Sequence, residues 1–420
     1  MRILVLGSGA REHAIITALV NESRVADAAP HDITAAPGNA GIALEVPTVA
    51  LDVTQGELVA DYAVDHGVEL VVIGPEAPLI AGVADAVRRR GIAVFGPDAA
   101  AAQLEGSKAF AKRIMAAAGV PTGRGMRAES LAEAEAAFDD FGAPYVVKAD
   151  GLAAGKGVLV TDDRAAALAH AEHYLLQGGL LIEEFLAGHE VSLFVLSDGH
   201  HVIPLSPAQD YKRLGVGDLG PNTGGMGAYS PLPWLPDGFV DEVVRTVAEP
   251  TVRQLEREGT PFVGLLYCGL IVTEMGIRVI EFNARFGDPE TQVVLPRLIT
   301  PLSELLLAAS TGRLAGVSAA QFSDDVAVAV VLASEGYPVT SAPTRLITGL
   351  EAATSVPGVT LTHAATARTK EGFVATGGRV LSVVATAASF AQARARAYEA
   401  LGNINLEGGQ FRSDIASRVL

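Results

Sequence analysis

Short apolar runs that end in glycine alternate with amphipathic stretches through the first hundred residues. Residues 2–6, 70–73 and 92–95 are such runs, with Gly7, Gly74 or Gly96 at the end of each. Runs of this length, apolar on both faces, read as buried strands. Between them Val83, Ala84 and Val87 share one helix face, and Arg88, Arg89 and Arg90 close that helix where cations complement its dipole. The alternation predicts βαβ units, hence a doubly wound parallel sheet.

Further along, the periodicity predicts helices over 108–118, stopped by Gly119 with Pro121 beyond, and over 131–141. Residues 145–149 and 157–161 read as two strands whose connection is too short for a helical crossover, so they should run antiparallel. Strands are also expected at 180–184, 191–196, 270–273 and 277–282, which makes the middle of the chain α+β. After about Phe322, strands at 326–332 and 379–384 and a helix over 390–401 suggest a small C-terminal α+β domain. The expected fold class is α/β and α+β multidomain.

Composition narrows this picture. A chain of 420 residues exceeds the usual size of a single core, and 49% hydrophobic with 19% charged residues is too apolar for extensive disorder. Thirty-one Lys and Arg against 48 Asp and Glu leave a formal charge of −17, which repels nucleic acid and anionic membranes. Any bound phosphate therefore needs a local site. No apolar stretch is long enough to cross a bilayer, and the opening run lacks the longer apolar core of a signal peptide, so a cytoplasmic location is expected, with no membrane, nucleic-acid or obligate protein partner. The single Cys268 lies in an apolar run and reads as a core residue rather than a nucleophile.

Four segments carry chemistry. Gly7-Ser-Gly9-Ala-Arg11-Glu12 begins like a dinucleotide fingerprint, but Glu12 stands where its third glycine belongs. A strand-to-helix turn with Arg11 suits one phosphate better than a pyrophosphate. The turns around Gly38 and Pro75 also follow strands, although each alone is only a loop. Gly151-Leu-Ala-Ala-Gly-Lys156-Gly157 resembles a P-loop but lacks its first glycine and its Ser/Thr, and a strand follows it; with Lys148 just before, it suits a polyphosphate clamp as well as a flexible hairpin. Residues 180–186 run apolar into Glu183 and Glu184, with Glu190 beyond, which is either a solvated strand end or an adenosine edge. In residues 279–290, Glu281, Asn283 and Arg285 share one strand face. Hard oxygen ligands two residues apart suit Mg²⁺ carrying nucleotide phosphates, and a surface salt-bridge ladder is the alternative.

Taken in order, GSGAREHA, APGNAG, GPEAPL, LEGSKAFAK, VVKADGLAAGKGV, IEEFLAGHEVS, PAQDYKR, GPNTGGMGAYSP, IEFNARFGDPETQ and GGRVLSVVA resemble the phosphoribosylamine–glycine ligase family of ATP-grasp enzymes over nearly the whole chain. The resemblance implies an N-terminal phosphoribosylamine domain at 1–104, an ATP-grasp core at 105–121 and 191–324, its lid at 122–190, and a C-terminal domain at 325–420. It implies ATP with Mg²⁺ or Mn²⁺, and glycine and 5-phosphoribosylamine as substrates. Lys108 and Lys148 would contact ATP phosphates, with Gly155 and Lys156 closing over them. Glu183, Glu184, Phe185 and Leu186 would meet adenine, and Glu190 the ribose. Glu281 and Asn283 match metal ligands, and Arg285 would stabilise the transferring phosphoryl group.

Gly9, Arg11, Glu12, Gly38, Asn39, Pro75 and Glu76 would surround phosphoribosylamine. Asp210, Lys212, Arg213, Asn222, Thr223, Gly224, Gly225 and Met226 would lie around the glycine site and nearby phosphate contacts, Asp288 would also bind substrate, and Asp210, Arg213 and Lys156 would act with Arg285 in catalysis. One departure stands out: only Gln177-Gly178-Gly179 remains where relatives usually carry a longer glycine-rich stretch. Another ATP-grasp ligase or carboxylase, a nucleotide-binding oxidoreductase and a non-catalytic sensor remain as alternatives. The oxidoreductase is the easiest to exclude, because the first turn is expected to hold a single phosphate. Calorimetric titration with NAD should give no tight binding and no competition with phosphoribosylamine, and a tight isotherm would revive that alternative.

Overall fold

A parallel four-stranded sheet opens the chain: β1 (Arg2–Gly7), β2 (Asp32–Pro37), β3 (Leu70–Ile73) and β4 (Ala93–Phe95), in the order β2-β1-β3-β4. Residues 1–25, 30–151, 157–176, 178–340 and 343–420 are described by this computed structural model. The three strands expected here are present. β2 escaped notice because Asp-Ile-Thr-Ala-Ala-Pro has no apolar run; it is an edge strand with an exposed residue at each end.

β5 (Gly125–Ala128), β6 (Tyr145–Ala149), β7 (Val158–Thr161) and β8 (Leu180–Glu183) form an antiparallel sheet ordered β5-β8-β6-β7. Two helices, Leu131–Phe141 and Arg164–Leu175, cover it through Ala134, Phe138, Ala167 and Ala171 packed on Val147 and Ile182. The first begins in a capping box, Ser130 with Glu133, and the second is capped by Asp163. β6 and β7 pair antiparallel as the short connection requires, from Tyr145 opposite Thr161 to Lys148 opposite Val158.

The chain then lays down β9 (His189–Asp198), β10 (Val202–Pro204), β11 (Gln209–Asp210), the hairpin β12 (Arg213–Gly215) and β13 (Leu219–Asn222), and β14 (Gly227–Ser230), followed by β15 (Val263–Thr273) and β16 (Gly276–Asn283). β10-β9-β15-β16 make one antiparallel sheet. β15 starts seven residues before the expected position, at Val263 rather than 270, because its first half contains Gly264, Tyr267, Cys268 and Gly269, which interrupt the apolar pattern yet pair fully with β9.

β17 (Val326–Ala333), β18 (Arg345–Thr348), β19 (Val359–His363), β20 (Thr366–Thr369), β21 (Gly372–Ala375), β22 (Arg379–Ala387) and β23 (Asn405–Leu406) complete the chain with the helix Phe390–Asn403. β11-β14-β17-β22-β19 form a single sheet, so the C-terminal strands continue a surface begun by β11 and β14. β17 is buried along its whole length, as its unbroken apolar sequence predicts.

Two packed joints set the frame around the site. Phe95 at the end of β4 lies 5.9 Å from Phe286, which meets Phe194 of β9 edge-on at 5.5 Å. Such ring pairs add about 0.5–1.5 kcal/mol each beyond their area burial, and they seat the segment after β16 against the N-terminal sheet. At the other joint, the helix Ala10–Val25 meets β19. The His363 N–H donates to His13 Nδ1 (2.8 Å), His13 Nε2 contacts Glu45 (2.9 Å), and Asn39 donates to the His363 carbonyl (2.7 Å).

Burial, with His13 beside it, pushes the His363 imidazole down to about 4, while Glu45 acts in the opposite direction. An imidazole whose folded value lies below its unfolded value of about 6.5 contributes stability above that pH, and the contribution is lost as pH falls through the window toward about 4. The melting temperature of the wild type should therefore drop more across that window than the melting temperature of His363→Asn. Equal losses in scanning calorimetry would show that this ring is not held neutral by the joint.

Candidate active site

A cavity of about 1240 Å³ opens where the carboxyl ends of the N-terminal strands face the antiparallel sheets. Gly9, Arg11, Glu12, Pro75 and Glu76 line one side of it. Glu12 sits at the start of its helix, its carboxylate accepting the Gly9 N–H (2.6 Å) and pairing with Arg11. It packs so tightly on Gly74 that a Cβ at that position would collide with it. The carboxylate thus fills the space that a third glycine leaves open for a pyrophosphate. Arg11 also donates to the Phe286 carbonyl (3.2 Å). Burial works against the charge of Glu76, but Arg285 and Arg11 hold its carboxyl below the ordinary range. Gly38 and Asn39 do not reach the wall; Asn39 braces the turn from behind, donating to the Ser8 carbonyl and accepting from the Gly41 and Ile42 amides.

The opposite wall is cationic. Ser107 caps the helix Lys108–Ala118, Asp150 accepts the Lys108 N–H (2.7 Å), and Lys108 Nζ donates to the Gly151 carbonyl (3.0 Å). Lys148 on β6 and Lys112 both pair with Glu183 on β8. The Glu183 carboxylate is therefore committed to two lysines, and Glu184, Phe185 and Leu186 line the cavity beside it. Lys112 was not singled out in the sequence, although it follows Lys108 by four residues and so shares its helix face. Glu190 pairs with Lys212 (2.6 Å). Gly155 and Lys156 lie outside the described residues, as does Gln177 of the short connection.

Between the walls, β16 presents Glu281 and Asn283, with Arg285 just beyond. Burial opposes the charge of Glu281, but Lys212, Lys148, Lys108 and Arg285 hold it below the usual carboxylate range. Its carboxylate accepts no hydrogen bond among the described residues. An ionised carboxylate beside an amide oxygen is the donor type Mg²⁺ takes, and among the described residues no cluster of three His, Cys, Asp or Glu could hold a metal by itself. That fits an ion shared with nucleotide phosphates. Arg285 pairs with Glu105 (2.9 Å) and reaches Glu76 (3.6 Å). Burial pushes the Glu105 carboxyl up, whereas Arg285 is pushed further toward its charged form. The direct contact, with the Ala284 N–H also donating to Glu105 (2.7 Å), favours the ionised pair. Glu105 was likewise missed, since one acid in an alanine-rich helix carries no signal.

The last part of the cavity is crowded with acids. Asp210 is raised well above the usual carboxylate range by burial and then by Glu290, and its Oδ1 has no hydrogen-bond partner among the described residues. Glu290 accepts from Tyr267 (2.8 Å) and Ser192 (2.9 Å). Lys212 is pushed upward by Glu190 against the effect of its burial. Arg213, Asn222, Thr223, Gly224 and Asp288 line this end; Gly225 and Met226 do not, and Met226 is fully buried behind the turn with its N–H donated to the Tyr211 carbonyl.

A lysine-bearing antiparallel sheet facing a second sheet that carries a cavity-facing carboxylate and amide defines the ATP-grasp class of enzymes. Comparison with known proteins narrows this. The chain matches the family descriptions of phosphoribosylglycinamide synthetase: the N domain over residues 1–105, the ATP-grasp (A) domain over 106–291 and the C domain over 327–418. It is 69% identical to the phosphoribosylamine–glycine ligase of Leifsonia xyli subsp. xyli, covering 100% of both chains. The solved phosphoribosylamine–glycine ligase of Thermotoga maritima superposes with a TM-score of 0.84 at 32% identity, over 99% of this chain and 100% of that one. The biotin carboxylase domain of Hydrogenobacter thermophilus 2-oxoglutarate carboxylase, solved with MgADP, superposes with a TM-score of 0.72 at 18% identity over 98% and 91%, a likeness of fold alone.

The chain belongs to the phosphoribosylglycinamide synthetase family and has its three-domain architecture. Replacing the central carboxylate tests the site directly. Glu281→Gln should keep the melting profile and lose turnover about a hundredfold or more, the usual cost of removing one preorganised charge from such a centre. Turnover at the wild-type rate would exclude Glu281 as a metal ligand.

Proposed function

We propose that this chain joins glycine to 5-phosphoribosylamine at the expense of ATP, releasing glycinamide ribonucleotide, ADP and phosphate, as a cytoplasmic enzyme of de novo purine biosynthesis. The observation that carries the reading is the meeting, in one cavity, of a single-phosphate turn, a lysine wall and a buried Asp210 oxygen with no hydrogen-bond partner among the described residues. Each suits one of three reactants: the phosphate of phosphoribosylamine, the triphosphate, and the ammonium of glycine facing Asp210. Domain divisions at 1–104, 105–121 with 191–324, 122–190 and 325–420 belong to the same proposal.

Carboxylates and amines do not condense unaided, because oxide and hydroxide are poor leaving groups. A glycine carboxylate oxygen attacks the γ-phosphorus, and the bond to the bridging oxygen breaks to release ADP and leave glycyl phosphate. The amine nitrogen then attacks the carbonyl carbon, phosphate departs and the nitrogen loses a proton. Lys108 and Lys148 hold the phosphates, joined by Lys156 and Gly155 of the hairpin. Arg285, kept charged by Glu105 and Glu76, stabilises the transferring group. Glu281 and Asn283 would hold Mg²⁺ or Mn²⁺, which neutralises charge on the phosphates. Lys212 pairs with Glu190, which would meet the ribose; Arg213, Asn222, Thr223 and Gly224 would border the glycine end, and Asp288 would stand between that end and the phosphoribosylamine loop. No side chain acts as a nucleophile, and burial pushes the Cys268 thiol far up, out of reach of ionisation.

Release of ADP should require glycine, phosphoribosylamine and a divalent cation together. Omitting each in turn from the assay checks this. Undiminished ADP release without glycine, or with another amino acid at equal efficiency, would sink the proposal.

A further inference from the structure

We infer that Arg379, carried by the C-terminal sheet, is the positioning residue that fixes the two acceptor-side loops of the cavity against each other. The inference rests on the ligase reading above. Arg379 opens β22 after Gly377 and Gly378. Register slips there, with Leu332 opposite Leu381 but Ala333 opposite Arg379, so that Val380 is the extra residue of a bulge. Bulges re-aim side chains, and here the guanidinium leaves its own sheet and enters the cavity.

Its donors go to backbone and carboxylate on two separate loops. Nη1 donates to the Gly224 carbonyl (2.5 Å) and the Asp288 carbonyl (2.8 Å), and Nη2 pairs with Asp288 Oδ2 (3.1 Å). Tyr337, also from the C-terminal part, accepts the Gly224 N–H (2.9 Å). Gly224 belongs to the turn beside Asp210. That turn needs glycine next door, because Gly225 has a φ of +107° and a Cβ there would stand 2.7 Å from Asp210 Oδ1. Asp288 faces the other substrate's loop, since a Cβ on Gly9 would lie 3.7 Å from its Oδ2. One planar fork thus links the turn bordering the glycine end to the acid bordering the phosphoribosylamine loop. A lysine, with a single point of charge, cannot hold both carbonyls and the carboxylate in one plane. Among the described residues none of the hydrogen bonds of Arg379 goes to the lysine wall, and its role lies at the meeting of acid and amine.

The test uses the full chain with Arg379→Met and Arg379→Lys. Affinity for a non-hydrolysable ATP analogue should stay within roughly twofold, while kcat/KM for glycine and for phosphoribosylamine each fall about a hundredfold, the cost of misplacing reactants by an ångström. Arg379→Lys should recover only part, and it serves for the whole comparison should Arg379→Met fail to fold. Amide exchange across 222–226 and 286–288 should quicken in either variant. Wild-type kcat/KM for both substrates overturns the inference, and so does nucleotide affinity that falls in parallel with them. The exchange measurement needs no turnover. Quickened exchange in a protein whose wild type does not ligate these substrates would sink the ligase reading and leave the clamp standing, whereas unchanged exchange sinks the clamp itself.

Discussion

Charges removed from water in company hold the centre of this molecule together. Glu281 lies among Lys108, Lys148, Lys212 and Arg285, and those cations are in turn bound to Gly151, Glu183, Glu190 and Glu105. A buried carboxylate alone would cost several kcal/mol, and the surrounding cations hold Glu281 below the usual carboxylate range against that cost. The members come from four different sheets or helices. Their mutual contacts therefore tie the β5-β8-β6-β7 sheet, the β10-β9-β15-β16 sheet and the two helices that carry Glu105 and Lys108 to one another around the cavity.

This arrangement suits a reaction in which negative charge moves. Nucleotide phosphates entering the lysine wall would take over part of the compensation that Glu183 now provides to Lys148 and Lys112. In the proposed reaction Arg285, already held in place by Glu105 and Glu76, would need little reorganisation as charge develops at the phosphoryl group. At the far end the balance is left open, with an Asp210 oxygen that has no hydrogen-bond partner among the described residues, beside Glu290. An ammonium is the complement such a place lacks.

The C-terminal part takes a share in the site that its position in the chain hides. Its strands continue the sheet begun by β11 and β14, and β11 carries Asp210. Arg379 and Tyr337 reach from it to the turn at Gly224, and His363 braces Asn39 behind the N-terminal loops. A segment that looks like an appendage in sequence thus completes the frame on the substrate side.

Local pattern by itself determined many of the elements that frame the site. The strands ending at Gly7, Gly74 and Gly96, the helices Lys108–Ala118 and Leu131–Phe141 and the antiparallel pair around residue 150 follow from apolar period, caps and loop length, which are properties of neighbouring residues. The same is true of Glu281 and Asn283, whose common face is set by strand alternation, and of Glu12, whose place excludes a third glycine; Arg285, expected on that same face, lies past the end of β16 and reaches the cavity from the bend that follows. Tertiary structure alone decided the rest. Lys112, Glu105, Tyr267, Glu290 and Arg379 join the cavity because folding brings together segments as far apart as 105 and 379, and no local periodicity encodes such a meeting. The edge strand β2 and the first half of β15 are strands through pairing with β1 and β9 rather than through their own composition. Burial reversed some expectations in the same way: Met226 and Asn39 lie in segments that reach the cavity, yet their side chains turn into the frame behind it, because hydrogen bonds and packing with distant partners are satisfied there.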